Sequence, residues 1–284
     1  MSVKIIVDSA SDIRLSEATR QDVGFIPLKT ILSGKEYRDG IDVTPDVFYE
    51  MLKANKELAS TSQVTAAEFS DAFAAAVAEG DDVVVITISS GLSGTYQSAR
   101  IAAADYEGRV FVVDSLSATA GEQVLLAHAL TLREQGKSAR EIADELNELK
   151  KKIRLFVRVE TLEYLKRGGR VSKTAAFVGG LLHFMPVLTL KDGKLESVGK
   201  ARGARLSYKL LNDSICEAGG IDFSMPVAIT YAGDLQDGTL QDYLASSKDV
   251  MGSNEEGLLI GELGCVIGTH TGPGAIVVAF VPKA

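Results

Sequence analysis

The chain has 284 residues, of which 46% are hydrophobic and 24% are charged, and its 38 acidic and 30 basic residues give a net charge of −8. This length suits one large domain or about two of ordinary size. The hydrophobic fraction is high enough to form a core, which excludes a disordered protein. The negative charge argues against default binding to nucleic acid or to an anionic membrane.

The charge is unevenly distributed. Residues 150–209 contain 15 lysines and arginines but only four acids, so this window carries +11 and the rest of the chain −19. Such an asymmetry is typical of a protein with a localised anionic partner, and a basic solvated surface explains it equally well.

Three features indicate the compartment. The two cysteines, Cys216 and Cys265, show no paired spacing and fit a reducing environment. The N-terminus lacks the pattern of a signal peptide. An uncharged run at residues 263–282 is about as long as a membrane span, but it has Gly-Thr-His-Thr-Gly-Pro-Gly in its middle. We therefore expect a cytoplasmic protein whose contact with membranes is at most transient.

The first half of the chain alternates between apolar runs and helical patterns. The runs at residues 4–9, 83–89 and 110–114 are rich in Val and Ile, as expected of parallel strands covered on both faces. Capping boxes open helices at residues 65–80 and 138–153, and two further helices are predicted at 93–104 and 120–136. The pattern predicts a three-layer α/β/α domain with a parallel sheet over residues 1–154.

The second half has a different pattern. Strands are predicted at residues 155–159, 227–231 and 275–281, and Asp192-Gly193 indicates a hairpin between residues 186–191 and 194–199. Helices are predicted at residues 173–182, 205–218 and 235–246. This mixture predicts a two-layer α+β domain with a mixed sheet over residues 155–284. The sequence shows no linker between the halves, so we expect them to pack closely.

Residues 89–95, Ser-Ser-Gly-Leu-Ser-Gly-Thr, form the best candidate for a binding site. They join a buried strand to a helix, at the edge of the sheet where open α/β folds bind ligands. Glycines allow close approach of the backbone, and a helix N-terminus favours a phosphate or a carboxylate. An equally acceptable interpretation is that Ser93 only caps its helix.

Two further segments carry polar groups that could join this site. Thr61-Ser62-Gln63 precedes the first capping-box helix, where its hydroxyls could bind an anion or simply form a turn. His270 is predicted to lie in a glycine-rich turn between two strands, a setting that often presents a functional group. We expect His128 and His183 to be surface or packing residues.

Seven segments, taken in order, resemble the DegV family of bacterial fatty-acid-binding proteins. They are the strand that ends in Asp8-Ser9, Thr61-Ser62-Gln63, residues 90–96, residues 112–115, residues 162–170, Arg202-Gly203 and residues 268–274. One departure is Val64, where members of the family often have proline.

The resemblance implies two domains with an acyl-chain tunnel between them. It implies that Thr61 and Ser93 hold the carboxylate of a long-chain fatty acid and that His270 belongs to the same hydrogen-bond network; we add the adjacent Ser62 and Gly94. It implies that the protein is not an enzyme and needs no cofactor. Its partner would be an ATP-dependent fatty acid kinase related to dihydroxyacetone kinases, which phosphorylates the bound carboxylate to an acyl phosphate for phospholipid synthesis.

The remaining site predictions concern the acyl chain and the kinase. Apolar residues of the second half could line the tunnel, with Phe177, Leu181, Phe184 and Met185 as candidates. The basic window contains two arginine-rich segments that could dock the kinase, with Arg167, Arg170 and Arg202 as candidates.

Two alternative functions remain open at this point. An acyl or phosphate-ester hydrolase could use Ser93 as nucleophile and His270 as base, although the sequence shows no recognisable triad motif. A nucleic-acid regulator could act through the basic window, but aromatic residues do not interleave with its cations.

Overall fold

The computed structural model describes residues 2–54, 59–171, 184–233, 238–252 and 257–283. The strands of this part are β1 (Val3–Asp8), β2 (Val23–Ile26), β3 (Lys29–Leu32), β4 (Lys35–Arg38), β5 (Ser60–Ser62), β6 (Asp82–Thr87), β7 (Val110–Asp114), β8 (Arg154–Arg158), β9 (Phe184–Lys191), β10 (Lys194–Arg202), β11 (Val227–Tyr231), β12 (Leu258–Glu262) and β13 (Ile276–Phe280).

The helices of the described ranges alternate with these strands. They are α1 (Leu15–Arg20), α2 (Pro45–Ala54), α3 (Ala66–Ala78), α4 (Thr95–Ala103), α5 (Ala120–Glu134), α6 (Ala139–Leu149), α7 (Glu163–Arg167), α8 (Ala204–Glu217), α9 (Thr239–Ser246), α10 (Lys248–Met251) and α11 (Cys265–Thr271), with 3-10 turns at Ser9–Ser11 and Ala104–Tyr106. None of these helices combines the length and the apolar character that crossing a membrane requires.

The first sheet is parallel throughout, in the strand order β2-β1-β6-β7. Alternate side chains of β1 and β6 enter different cores. One core contains Phe69 and Phe73 of α3, and the other contains Leu125 of α5 and Ile142 of α6. These layers confirm the predicted three-layer arrangement. The strand order reverses between β1 and β6, and open α/β folds commonly bind ligands at the carboxyl ends of the strands near such a point.

The second sheet is mixed, in the strand order β10-β9-β8-β13-β11-β12, and β11 and β12 form its parallel pair. Helices α8, α9 and α10 contribute to the core on one face. On the other face, Leu155, Val157 and Val277 belong to the same cluster as α3 and α4 of the first half. The two halves therefore share a continuous core, as the missing linker led us to expect. The boundary between residues 154 and 155 stays a prediction.

The hairpin prediction at Asp192-Gly193 is confirmed. Both residues have positive φ angles, 48° and 74°, as a type I′ turn requires. The strands β9 and β10 are longer than predicted. Beyond its pairing with β8, the hairpin reaches the loop after β6, where Ser89 Oγ donates a hydrogen bond to the carbonyl of Gly193 at 2.8 Å. Gly91 has no side chain where this turn approaches, and a Cβ there would collide with the same carbonyl.

Other predictions need correction or lie outside the described residues. The glycine-rich segment around His270 is not a turn between strands, because residues 265–271 form α11. The small antiparallel sheet β4-β3-β5 and the helix α2 were not predicted at all. The predicted helix at residues 173–182 falls on residues outside the described ranges.

Two buried carboxylates explain why a short, glycine-containing segment is helical. Asp39 accepts hydrogen bonds from the N–H groups of Cys265 at 2.9 Å and Val266 at 3.4 Å, and Asp12 accepts one from Gly264 at 2.9 Å. Both carboxyls come from loops distant in sequence. Their burial raises the pKa of each. Since they satisfy the amides at the start of α11, they fix the helix that carries His270.

We predict that Asp39→Ala lowers the free energy of unfolding by about 2–4 kcal/mol, because it leaves buried donors without an acceptor. Those donors are the two α11 amides and the hydroxyl of Ser9. The measurement is urea denaturation. Asp42→Ala is the matched control, since Asp42 is partly exposed and pairs with Arg38 on the surface, and it should cost much less. Equal losses would contradict the role of Asp39.

Candidate functional site

A cavity of about 300 Å³ lies between the carboxyl end of the first sheet, the small sheet, α11 and the second sheet. Its volume is at the lower end of the range for small-molecule pockets. Apolar side chains form most of the wall. The polar side chains of the wall are those of Thr61, Ser62, Gln63, Ser93, Thr119, Arg170, His270 and Thr271, and Gly94 also borders the cavity. Contacts bring Thr61, Gln63, Ser93, Arg170 and His270 together, and we call this cluster the polar end. This composition fits an amphipathic ligand with one polar end.

Thr61 and Ser93 reach the polar end from different elements. Thr61 lies on β5, where it pairs with Thr30 of β3. Ser93 precedes α4 in a turn fixed by hydrogen bonds from the Leu92 and Ser93 amides to the carbonyl of Ser89. Its hydroxyl lies 2.9 Å from Thr95 Oγ1 and accepts a hydrogen bond from the Thr95 amide at 3.3 Å. Ser93 therefore contacts the start of its helix and also faces the cavity.

His270 joins this cluster from α11. Its Nε2 lies 2.8 Å from Thr61 Oγ1. Burial, and secondarily the positive charge of Arg170, lower the pKa of His270 to about 4. The imidazole is therefore neutral at neutral pH. Its buried Nδ1 has no hydrogen-bond partner among the described residues. It packs against Gly168, where any Cβ would collide with the ring.

The kinase-docking role of Arg170 stays a prediction, and the structure adds a second location for this side chain. It lines the cavity, is half-buried and donates hydrogen bonds to the carbonyls of Leu92 at 3.2 Å and Gly168 at 2.6 Å. The pair Gly168-Gly169 lets the chain turn back toward the cavity after α7. The other two candidates, Arg167 and Arg202, are exposed; Arg167 forms an ion pair with Glu163.

The apolar wall comes from both halves. Its residues are Leu28, Ile88, Leu92, Ala118, Leu155, Val157, Leu165, Leu190, Leu195, Val266, Ile267 and Val277. Sequence reasoning did not single out the strand residues among them. The alternation along β8 and β9 could have shown which of their side chains share a face.

Phe184 and Met185, the two predicted acyl-chain residues that the structure describes, are not among those that line this cavity. Met185 shares its strand face with Val187, which packs under α8, and its sulfur accepts a hydrogen bond from Arg158 at 2.7 Å. Phe184 lies on the other face, and the Lys200 ammonium stands 5.7 Å from its ring centre. Phe177 and Leu181 lie outside the described residues.

The arrangement does not form the catalytic pair that a hydrolase would need. His270 bonds to Thr61 through Nε2, and Ser93 bonds to Thr95. No carboxylate of the described ranges accepts a hydrogen bond from His270 Nδ1, so no group orients the ring as a base. The hydroxyls and the neutral imidazole are suited to hydrogen-bond a carboxylate.

Comparisons with known proteins identify the family of the chain. The family profile described as "Uncharacterised protein, DegV family" matches residues 2–283. The chain belongs to the DegV family. A DegV domain-containing protein of Clostridium acetobutylicum is 33% identical over 282 residues, which cover 99% of both chains.

Two of the solved structures that resemble this chain are described with a fatty acid. One, from Thermus thermophilus, reports fatty acid binding by a DegV family protein; it is 34% identical, has a TM-score of 0.87 and covers 99% of this chain and 100% of that one. The other is the fatty acid kinase (Fak) B3 protein of Streptococcus pneumoniae, loaded with linoleic acid. It covers 100% of both chains at a TM-score of 0.83, and its 22% identity shows the shared fold alone.

We predict that His270 titrates with a pKa of about 4 and that Arg170→Gln raises this value, because the substitution removes a nearby positive charge. The measurement is an NMR titration of the imidazole resonances. His128, which lies on α5 and faces Glu145 of α6, serves as an internal control whose pKa should not respond to the substitution. An unchanged pKa of His270 in Arg170→Gln would show that burial alone sets its value.

Proposed function

We propose that the protein binds one long-chain fatty acid, with the carboxylate at Thr61, Ser62, Ser93, Gly94 and His270. The acyl chain occupies the apolar cavity. The observation that carries the proposal is the asymmetry of this cavity: apolar walls lead to one cluster of hydroxyls and a neutral imidazole. Fatty acid binding by the Thermus thermophilus relative supports the same ligand class.

The energetics favour retention of such a ligand. Burial of each CH₂ group stabilises the complex by about 0.8 kcal/mol, so a long chain supplies most of the affinity. The carboxylate then needs orientation more than strong binding. Hydroxyl donors orient the carboxylate without an ion pair to an imidazolium, since the lowered pKa of His270 keeps its ring neutral.

We further propose that the protein presents this carboxylate to a fatty acid kinase related to dihydroxyacetone kinases, in the cytoplasm. A carboxylate oxygen would attack the γ-phosphorus of ATP bound to the kinase, ADP would leave, and the acyl phosphate would enter phospholipid synthesis. Donation from neutral groups leaves electron density on the attacking oxygen, and positioning supplies much of the catalysis in phosphoryl transfer. In this role the protein itself is not an enzyme and needs no cofactor.

We predict that the purified protein contains fatty acid that organic extraction and mass spectrometry detect, and that Ser93→Ala and Thr61→Ala each weaken palmitate binding by about threefold to tenfold. This is the effect of losing one neutral hydrogen bond. Ser90→Ala is the matched control, because Ser90 lies on the same loop with an exposed side chain.

Two results would contradict this proposal. No fatty acid in the extract, together with no binding of added palmitate or oleate, would exclude the ligand class. Unchanged affinity in both Ser93→Ala and Thr61→Ala would remove these hydroxyls from the site.

We predict that Arg202→Glu lowers acyl phosphate formation by about tenfold while palmitate affinity stays unchanged, because reversal of an exposed charge at a docking surface impairs association. The assay combines the loaded protein with ATP and the fatty acid kinase of the source organism. Arg20→Glu, on the exposed side of α1, is the control. Normal acyl phosphate formation with Arg202→Glu would exclude Arg202 from the docking surface.

A further inference from the structure

The two hydroxyls of the polar end lie on elements that have no strand pairing with each other. Thr61 belongs to β5 of the small sheet, whereas Ser93 precedes α4 on the first sheet. A carboxylate that bonds to both hydroxyls requires a fixed distance between the two elements. Gln63, two residues after Thr61, is the side chain that connects them.

The carboxamide of Gln63 contacts the first turn of α4 at two points. Its Nε2 donates a hydrogen bond to Ser98 Oγ at 2.9 Å. Its Oε1 lies against the Cα of Gly94, where a side chain would collide with it. Ser98 is buried, and its own amide donates to the carbonyl of Gly94 at 3.0 Å. The carboxamide thus contacts both ends of one helical turn, next to Ser93.

The backbone on either side of Gln63 is fixed as well. Val64 is fully buried in the core, and Thr65 forms the capping box of α3 with Glu68. Before Gln63, Ser62 pairs with Lys29 of β3. The backbone is therefore held on both sides of Gln63. Its side-chain contacts with Gly94 and Ser98 then keep α4 at a fixed distance from β5.

We propose that Gln63 is a positioning residue that sets the separation of the Thr61 and Ser93 hydroxyls, and that Gly94 is small so that the carboxamide can lie across the start of α4. This inference rests on the proposed function, because it assumes that both hydroxyls hold one carboxylate. Gln63 acts on the polar end of the ligand and not on its acyl chain.

The test compares two ligands that share a chain and differ at one end, palmitic acid and hexadecanol. Gln63→Ala should weaken binding of palmitate by about threefold to tenfold, the effect of one neutral hydrogen bond, and leave hexadecanol affinity unchanged. Gln97→Ala is the matched control, since Gln97 lies on α4 with an exposed side chain; it should change neither affinity. The ¹³C chemical shift of bound [1-¹³C]palmitate should move in Gln63→Ala only.

A second pair of variants tests the contact with Gly94. Gly94→Ala displaces the flexible end of Gln63, and the backbone of Gly94 has a negative φ of −76° that alanine adopts readily. Its loss of palmitate affinity should therefore match that of Gln63→Ala. The double variant should lose no more than either single variant, because both remove the same contact. Fully additive losses would overturn the proposed coupling.

The outcomes separate this inference from the proposed function. If the unmodified protein binds hexadecanol as tightly as palmitate, the carboxylate site itself is wrong. If the unmodified protein prefers palmitate and Gln63→Ala keeps that preference, the positioning role of Gln63 is wrong and the proposed function stands. Equal weakening of both ligands would assign Gln63 to general packing of the cavity and would also overturn its positioning role.

Discussion

The site depends on the hydrogen bonds that the backbone N–H groups at the start of α11 donate. These N–H groups are buried, and a buried amide without an acceptor is costly. Asp12 and Asp39 supply the acceptors from the first half of the chain, although burial disfavours charge on both and raises their pKa values. The arrangement ties α11 to the first half and leaves His270 at its far end, facing Thr61.

Burial also determines the protonation state of His270 at the polar end. The ring of His270 is enclosed and lies near Arg170, so both the low-dielectric surroundings and the positive charge disfavour a second proton. Arg170 in turn uses Nε and one terminal nitrogen to bind backbone carbonyls. The polar end therefore combines uncharged hydroxyls and a neutral imidazole with one guanidinium that is already bonded to the backbone.

The sequence predicted the parts of the fold that local patterns determine. Continuous Val and Ile runs indicated the parallel strands, the capping boxes at Thr65 and Ser138 marked two helix starts, and Asp192-Gly193 marked the hairpin. It failed for α11, whose helical state depends on carboxylates more than 200 residues away. It also missed the small sheet, whose three- and four-residue strands carry too few residues for a periodic pattern.

The site predictions also separate into features that a local pattern indicates and features that depend on long-range packing. Ser93 and Gly94 drew attention because hydroxyls and glycines mark a loop that follows a strand, and the structure places both beside the cavity. The apolar wall of that cavity depends on which faces of two sheets meet. Met185 was a reasonable apolar candidate, but the alternation of β9 places it on the face toward α8 with Val187. Arg170 was selected for its charge, and the sequence could not show that its side chain lies beside the cavity and bonds to the carbonyls of Leu92 and Gly168.

The strand order of the second sheet has a consequence for the order of assembly. β13 lies between β8 and β11, although it follows both in the chain. During synthesis these two strands emerge with unpaired edges, and unpaired edges recruit other chains. The contact between Thr61 and His270 spans 209 residues, so it too forms only after nearly the whole chain is available. A nascent chain would thus expose its sheet edges before it has any cavity in which to hold a lipid.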